Sequence, residues 1–206
     1  MKGLILKDFY NLSTVWKTLL ALAVFYIIYG IFMDSSFMIS MMVMIFALQV
    51  VSAFTYDKLS GFDAYAATLC VSRRQVVGAR YLTALLLLGV SAVAAAAGGL
   101  VLYGIGKLSG DLSAMLISIL SVAALGLFFN AAILPLVYKF GVEKSRLMMF
   151  AIFSLPVVGL MLFIRSGIEL SEQAATAAVI AFPFIAIAAF ALSYMISLRI
   201  YATREL

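Results

Sequence analysis

The sequence contains no histidine and a single cysteine, Cys70, among its 206 residues. One cysteine excludes a disulfide framework within the chain, and the lack of histidine removes the commonest zinc ligand and general base. Charged residues are scarce too, at 11% against roughly a quarter in soluble domains, whereas hydrophobic residues reach 66%. This balance indicates a membrane protein rather than a water-soluble domain.

Signatures of catalysis are also absent. The chain has no G-x-x-x-x-G-K-[ST] phosphate loop, no HExxH, no G-x-S-x-G and no evident DNA-binding element. We therefore predict no catalytic residue, no cofactor or metal site and no nucleic-acid partner. The apolar runs hold essentially no ionisable residue in their interiors, which argues against an ion-coupled carrier. If the protein moves a substrate, the energy must come from a separate polypeptide.

Long apolar runs are what the sequence does have. A helix that crosses about 30 Å of hydrocarbon needs about 20 apolar residues, and the strand-like alternation of a membrane barrel is missing. We predict an all-α, polytopic membrane helical bundle that forms one domain over 1–206. Its six predicted spans are Trp16–Met33, Phe37–Tyr56, Tyr81–Ile105, Leu112–Tyr138, Leu147–Ile164 and Thr176–Leu198. Residues 171–181 form either a segment dipping into the outer leaflet or part of one long, tilted helix.

The distribution of basic residues gives the orientation. Six spans place both termini on one side, together with twelve of the 14 lysines and arginines; only Lys107 and Arg165 lie on the other. By the positive-inside rule, both termini are cytoplasmic, as are the loops 57–79 and 139–146.

Residues 1–15 precede the first span and have helical periodicity. Ile5, Phe9, Leu12 and Trp16 share one face, whereas Lys7, Asp8 and Asn11 lie elsewhere. This pattern predicts an amphipathic interfacial helix in the cytoplasmic headgroups; the alternative is a frayed lead-in to the first span.

The loop 57–79 is the longest polar interruption between the apolar runs. Apolar residues at helical spacing, Phe62 and Leu69 among them, predict a short helix, and Ser72 with Gln75 reads as a capping box that starts the third span. Arg73 and Arg74 oppose the dipole of that helix, so anionic lipid, topology or an acidic partner explains them.

A few polar, small or helix-bending residues lie inside the spans. We predict that they line a pathway or pack helices together. Ser91, Ala95 and Gly99 form a small-residue stripe, suited to packing within the chain or between subunits. The residues of this group are Gln49, Ser52, Gly99, Asn130, Pro156 and Gly159.

The stretch LCVSRRQVVGARYL, Leu69–Leu82, resembles the pattern L-P-V-S-R-x-x-[IV]-V-x-[AG]-[KR]-Y of small six-span permease subunits of bacterial ABC-2 type ABC transporters. Cys70 stands where that family usually has proline. The amphipathic lead-in and the basic loop YKFGVEKSR fit the family as well.

The resemblance implies an ATP-driven exporter in the bacterial cytoplasmic membrane. Two permease subunits, identical or paralogous, would form a pathway in the lipid for an amphiphilic or hydrophobic substrate such as a peptide, lipid or antibiotic. ATP would be bound by separate cytoplasmic ATPase subunits, which drive alternating access. A coupling helix between spans two and three would dock on them. The residues it assigns to ATPase coupling are Asp57, Phe62, Asp63, Tyr65, Leu69, Ser72, Arg73 and Arg74. The alternative is a non-transporting membrane protein of immunity or sensing.

Overall fold

The computed structural model describes residues 2–32, 35–62, 72–106, 111–165 and 172–203. All regular secondary structure in these ranges is helical, which confirms the predicted all-α fold. The helices are α1 (Lys2–Gly30), α2 (Ser35–Ala47), α3 (Val50–Ser60), α4 (Arg73–Gly104), α5 (Leu112–Arg165) and α6 (Glu172–Thr203).

Four helical segments of the described chain are long and apolar enough to cross a membrane: Ile39–Ser60, Arg73–Gly104, Leu112–Ser145 and Val179–Thr203. Helix α1 adds a fifth if its two parts, Gly3–Asn11 and Trp16–Gly30, count as one span despite a bend of 65°. The protein is therefore a polytopic membrane bundle. The count of six remains a prediction. Helix α6 runs without interruption from Glu172, as expected for one long helix rather than a separate dipping segment.

The predicted cytoplasmic loops are more helical than expected. Gly61, with φ 66°, ends α3 in the left-handed conformation that glycine adopts readily. Ser72 starts α4 through the predicted capping box, in which its Oγ accepts from the Gln75 amide and its own amide donates to the Gln75 side chain. In the predicted loop 139–146, only Gly141 departs from helical geometry, with φ 78°. One left-handed glycine thus turns the chain, and the helix resumes at once.

The second predicted span is broken between α2 and α3. The Val51 amide donates to Leu48 O at 3.2 Å instead of the carbonyl one residue earlier, which leaves Ala47 O free of the helix ladder. Asn130 Nδ2 of α5 donates to that oxygen at 3.0 Å. A buried asparagine thereby satisfies the carbonyl that the break would orphan, as hydrocarbon requires.

Small residues set the distances between helices. Ser91, Ala95 and Gly99 of α4 are all buried within the chain, which is the first of the two packing alternatives. A Cβ at Gly99 would collide with the Met115 sulfur, and one at Gly126 would lie 2.9 Å from the Ala47 methyl. The helices at these two contacts approach as closely as glycine allows.

The start of α1, the end of α3, the start of α4 and the end of α6 meet at one end of the bundle, which we call the inner end. There Arg73 donates to Ala202 O, and the Tyr138 ring lies 5.6 Å from that of Tyr201 and 5.2 Å from that of Phe54. The first and last described residues of the chain therefore lie at the same end, as the predicted topology requires.

Candidate functional site

Four charged side chains are gathered inside the bundle at its inner end. Lys7 and Asp8 come from α1, Asp57 from α3 and Arg80 from α4. Asp8, Asp57 and Arg80 are only 2%, 6% and 5% exposed. Charged residues are almost never buried to this degree unless they are paired.

The four side chains form a closed ring of alternating charge, which we call the charge ring. Lys7 Nζ lies 2.6 and 2.7 Å from the two Asp57 carboxylate oxygens, and Arg80 Nη2 donates to Asp57 Oδ2. Arg80 Nη1 lies 3.0 Å from Asp8 Oδ1, and Lys7 Nζ closes the ring at 3.4 Å from the same oxygen. Two cations and two anions make the ring formally neutral, so no net charge is buried.

Neighbouring groups complete the solvation of the ring. Thr83 Oγ1 donates to Asp8 Oδ2 at 3.0 Å, and Asn11 Nδ2 lies 3.4 Å from Asp57 Oδ1. The Arg80 guanidinium lies 4.3 Å from the centre of the Phe54 ring, and Lys7 Nζ lies 3.3 Å from that of Phe62. Such cation–π contacts strengthen when water is excluded.

The helices position the residues of the charge ring next to one another. Asp57 lies in the last turn of α3, and Arg80 lies two turns into α4, so the pair flanks residues 63–71 on both sides. The bend in α1 lets its first part, Gly3–Asn11, reach this pair from a different direction. The ring therefore ties three helices together beside the predicted coupling loop.

The N-terminal segment packs one of its charged residues into the bundle. The sequence placed Lys7 and Asp8 off the apolar face of an interfacial helix, and the location of that helix in the headgroups stays a prediction. Asp8 is buried against the bundle because it finds matching charges there, whereas Leu6 and Tyr10 are 61% and 73% exposed. Phe9 of the predicted apolar face also turns toward the bundle, where it lines a cavity with Phe46 and Leu87.

Of the predicted coupling residues, the structure places five. Asp57 is buried in the charge ring, and Phe62 packs on Lys7. Ser72 caps α4, and Arg73 and Arg74 next to it are exposed. The other three, Asp63, Tyr65 and Leu69, lie outside the described residues. The assignment of these residues to ATPase docking therefore stays a prediction.

Three of the predicted pathway or packing residues, Gln49, Ser52 and Asn130, lie at the break in the second span. Gln49 and Ser52 bond to each other at 3.0 Å beside the break in the second span. Gly99 and Asn130 are packing elements in separate contacts. Pro156 and Gly159 both lie within the helical part of α5.

Sequence reasoning missed the charge ring. Lys7 and Asp8 were assigned to the face of a surface helix and Arg80 to the end of a loop, and no local spacing connects residues so far apart in the chain. The one signal was the resemblance motif, which includes Arg80.

Next to the ring, a cavity of about 120 Å³ separates α3 from α5 and α6. Asp57 lines it from the ring side, and the aromatic rings of Phe54, Tyr138 and Tyr201 line the rest together with Val137, Gly141 and Val142. Lys58 also borders the cavity and pairs with Glu143 at 2.6 Å, with both side chains largely exposed. Within the described ranges, no group of three or more acidic or cysteine side chains could hold a metal ion.

Comparison with known families identifies the chain. The model of the family described as "ABC-2 family transporter protein" matches residues 3–202, which includes the charge ring and all of the described helices but the first residue of α1 and the last residue of α6. No curated protein and no solved structure matches the chain. Because the match covers nearly the whole length, it confirms the resemblance read from the sequence, and the chain belongs to the ABC-2 family of transporter membrane proteins.

Proposed function

We propose that this permease subunit exports an amphiphilic or hydrophobic substrate across the bacterial cytoplasmic membrane by alternating access. Separate cytoplasmic ATPase subunits would bind and hydrolyse the ATP. Permeases of the ABC-2 family normally pair with such a subunit. The lack of a phosphate loop in this sequence also supports the assignment of ATP binding to a separate subunit.

The observation that carries the proposal is the position of the charge ring. It binds the two flanks of residues 63–71 to each other and to α1. A load applied to the segment between these flanks would therefore reach three helices at once. A permease worked by an external motor needs such a connection, whereas a passive membrane protein does not.

Charge supports the assignment of the inner end to the cytoplasm. Exposed cations are concentrated there: Arg73, Arg74, Lys139, Lys144 and Arg199. This agrees with the twelve-to-two distribution of basic residues. Arg73 and Arg74 are themselves among the predicted ATPase-coupling residues and would lie at the border of the ATPase.

The apolar outer surface supports membrane insertion and a second subunit. Val93, Leu120 and Phe184 are 71%, 63% and 70% exposed in the single chain. We propose that lipid covers part of this surface and that a second permease subunit, identical or paralogous, covers the rest to close a pathway.

Copurification and transport test the proposal together. The permease is coexpressed with a candidate ABC ATPase from the same genome, and inside-out vesicles are assayed with a fluorescent phospholipid analogue and a hydrophobic dye. We expect the ATPase to copurify and at least one probe to accumulate only with ATP. Leu69→Ala should reduce ATPase copurification severalfold, whereas Leu59→Ala, at a side chain 78% exposed on the end of α3, should not. A permease that binds no ATPase and moves neither probe would favour an immunity or sensory role.

A further inference from the structure

We propose that the charge ring is a clamp that makes the N-terminal segment Gly3–Asn11 move as one body with the ends of α3 and α4. Lys7 and Asp8 would then be positioning residues in the coupling of ATP hydrolysis to transport. The inference rests on the proposed function and extends it to a helix outside the predicted coupling loop.

Stability alone does not account for the ring. Removing charges from water is costly, and replacing a buried ion pair by apolar side chains of similar volume is often neutral or stabilising. The rings of Phe54 and Phe62 lie against the two cations, so apolar side chains could replace part of this contact. What charges add is one fixed geometry, because each carboxylate must face its cations and no sliding of the helices preserves that arrangement.

The N-terminal segment contacts the bundle through this polar contact and through Phe9, which lines a cavity with Phe46 and Leu87. Leu6 and Tyr10 point away from the bundle, and Asp8 is the most deeply buried residue of the segment. Lys7 reaches Asp57 of α3, and Asp8 reaches both Arg80 and Thr83 of α4. The segment thus holds the two helices that flank residues 63–71 through two adjacent side chains.

The bonds of the ring are unequal. Asp57 accepts hydrogen bonds from Lys7, Arg80 and Asn11 and is the hub. Asp8 Oδ1 and Arg80 Nη1 lie within ion-pair distance, but neither atom makes an aligned hydrogen bond in the described part of the chain. Removing Lys7 and Asp8 together therefore removes both charges that α1 contributes, leaves the long Asn11 bond as its polar link to the ring and keeps Asp57 paired with Arg80.

Because Lys7 and Asp8 carry opposite charges, the variant Lys7→Gln with Asp8→Asn removes both charges without changing the net charge. Its matched control, Lys58→Gln with Glu143→Gln, removes an exposed ion pair at the same end of the bundle without changing the net charge. Spin labels replace Tyr10 and Leu59, which are 73% and 78% exposed and outside the ring, in a Cys70→Ser background that still binds the ATPase. In a second protein, spin labels replace Tyr10 and Leu120 of α5, which are both exposed.

Label distances are measured in nanodiscs on the complex with its ATPase, nucleotide-free and trapped with ATP and vanadate. In the otherwise unmodified protein, we expect the Tyr10–Leu120 distance to change on trapping and the Tyr10–Leu59 distance to stay the same. In the α1 variant, the Tyr10–Leu59 distribution should broaden and shift on trapping. ATPase copurification should stay within twofold of normal while probe transport per ATP falls at least tenfold. The control variant should behave as the unmodified protein does.

The outcomes separate the clamp from the proposed function. If the Tyr10–Leu120 distance does not change on trapping and no probe is transported with ATP, the proposed function is wrong. If that distance responds but the Tyr10–Leu59 distance changes equally in the unmodified protein, the clamp is wrong. The clamp is also wrong if the α1 variant transports normally, or if its transport falls only in proportion to lost ATPase binding.

Discussion

Replacing Arg80 by methionine removes one cation from the charge ring and keeps a side chain of similar length. Asp8 and Asp57 then share only Lys7, so the ring carries one uncompensated negative charge. Breaking a buried pair by removing one partner costs about 3–5 kcal/mol, because the remaining charge stays desolvated. Arg80 is 5% exposed, so solvent screening reduces this figure little. We expect Arg80→Met to destabilise the bundle by about 3–5 kcal/mol.

The same reasoning predicts partial rescue. Arg80→Met combined with Asp57→Leu leaves Lys7 with Asp8, which lie 3.4 Å apart and are neutral together. The double variant should therefore be more stable than Arg80→Met alone. The decisive quantity is the sign of the difference in unfolding free energy between the double variant and Arg80→Met, since coupling between neighbouring sites is typically about 0.5–3 kcal/mol.

Equilibrium unfolding in mixed micelles measures both variants. Circular dichroism follows all the helices, and the fluorescence of Trp16, the one tryptophan, reports on α1 at its bend. The control is Lys58→Met, whose ion pair with Glu143 is exposed and should contribute about 1 kcal/mol or less. The reasoning is refuted if Arg80→Met lies within about 1 kcal/mol of the control, or if adding Asp57→Leu destabilises the protein further.

Three further substitutions test the packing of the bundle by the same unfolding assay. Gly99→Ala places a methyl on the neighbouring methionine sulfur and should cost about 1–3 kcal/mol, whereas Gly104→Ala, with open space around it, should not; equal effects would contradict the packing. Asn130→Ala leaves Ala47 O without its donor and should cost about 1–3 kcal/mol; an unchanged midpoint would mean that the bond contributes nothing. Tyr81→Phe removes the hydroxyl that bridges to two serines of α6 and should cost about 1 kcal/mol; a stabilising effect would contradict the bridge.

The helical bundle could be predicted from the sequence because hydrocarbon leaves few alternatives. A run of about 20 apolar residues must form a helix there to satisfy its own backbone. The capping box at Ser72 and Gln75 was equally readable, since it depends on residues three apart. These features are set by local chemistry and by the solvent.

The break in the second span and the charge ring could not be predicted in this way. The break is stabilised by Asn130, whose partner Ala47 lies far earlier in the chain. The ring joins Asp8 to Arg80, which are also far apart in the chain, and helical periodicity places Asp8 only relative to its own helix. Without knowledge of which helices adjoin, the sequence predicts only that Asp8 lies off the apolar face of its helix, and not that it is buried beside Arg80.

The kind of polar contact between helices bears on the mechanism. In the described part of the chain, Asn130 of α5 makes a neutral bond to Ala47 O, and the neutral Tyr81 hydroxyl bridge to α6 lies directly beside Arg80. Charged contacts between helices are found at the inner end, where the ring joins α1, α3 and α4. A neutral hydrogen bond contributes about 1 kcal/mol and can be exchanged as helices shift, whereas breaking a buried ion pair is several times more costly. The contact among α1, α3 and α4 at the charge ring should therefore resist separation more strongly than the contact of α5 with Ala47 O.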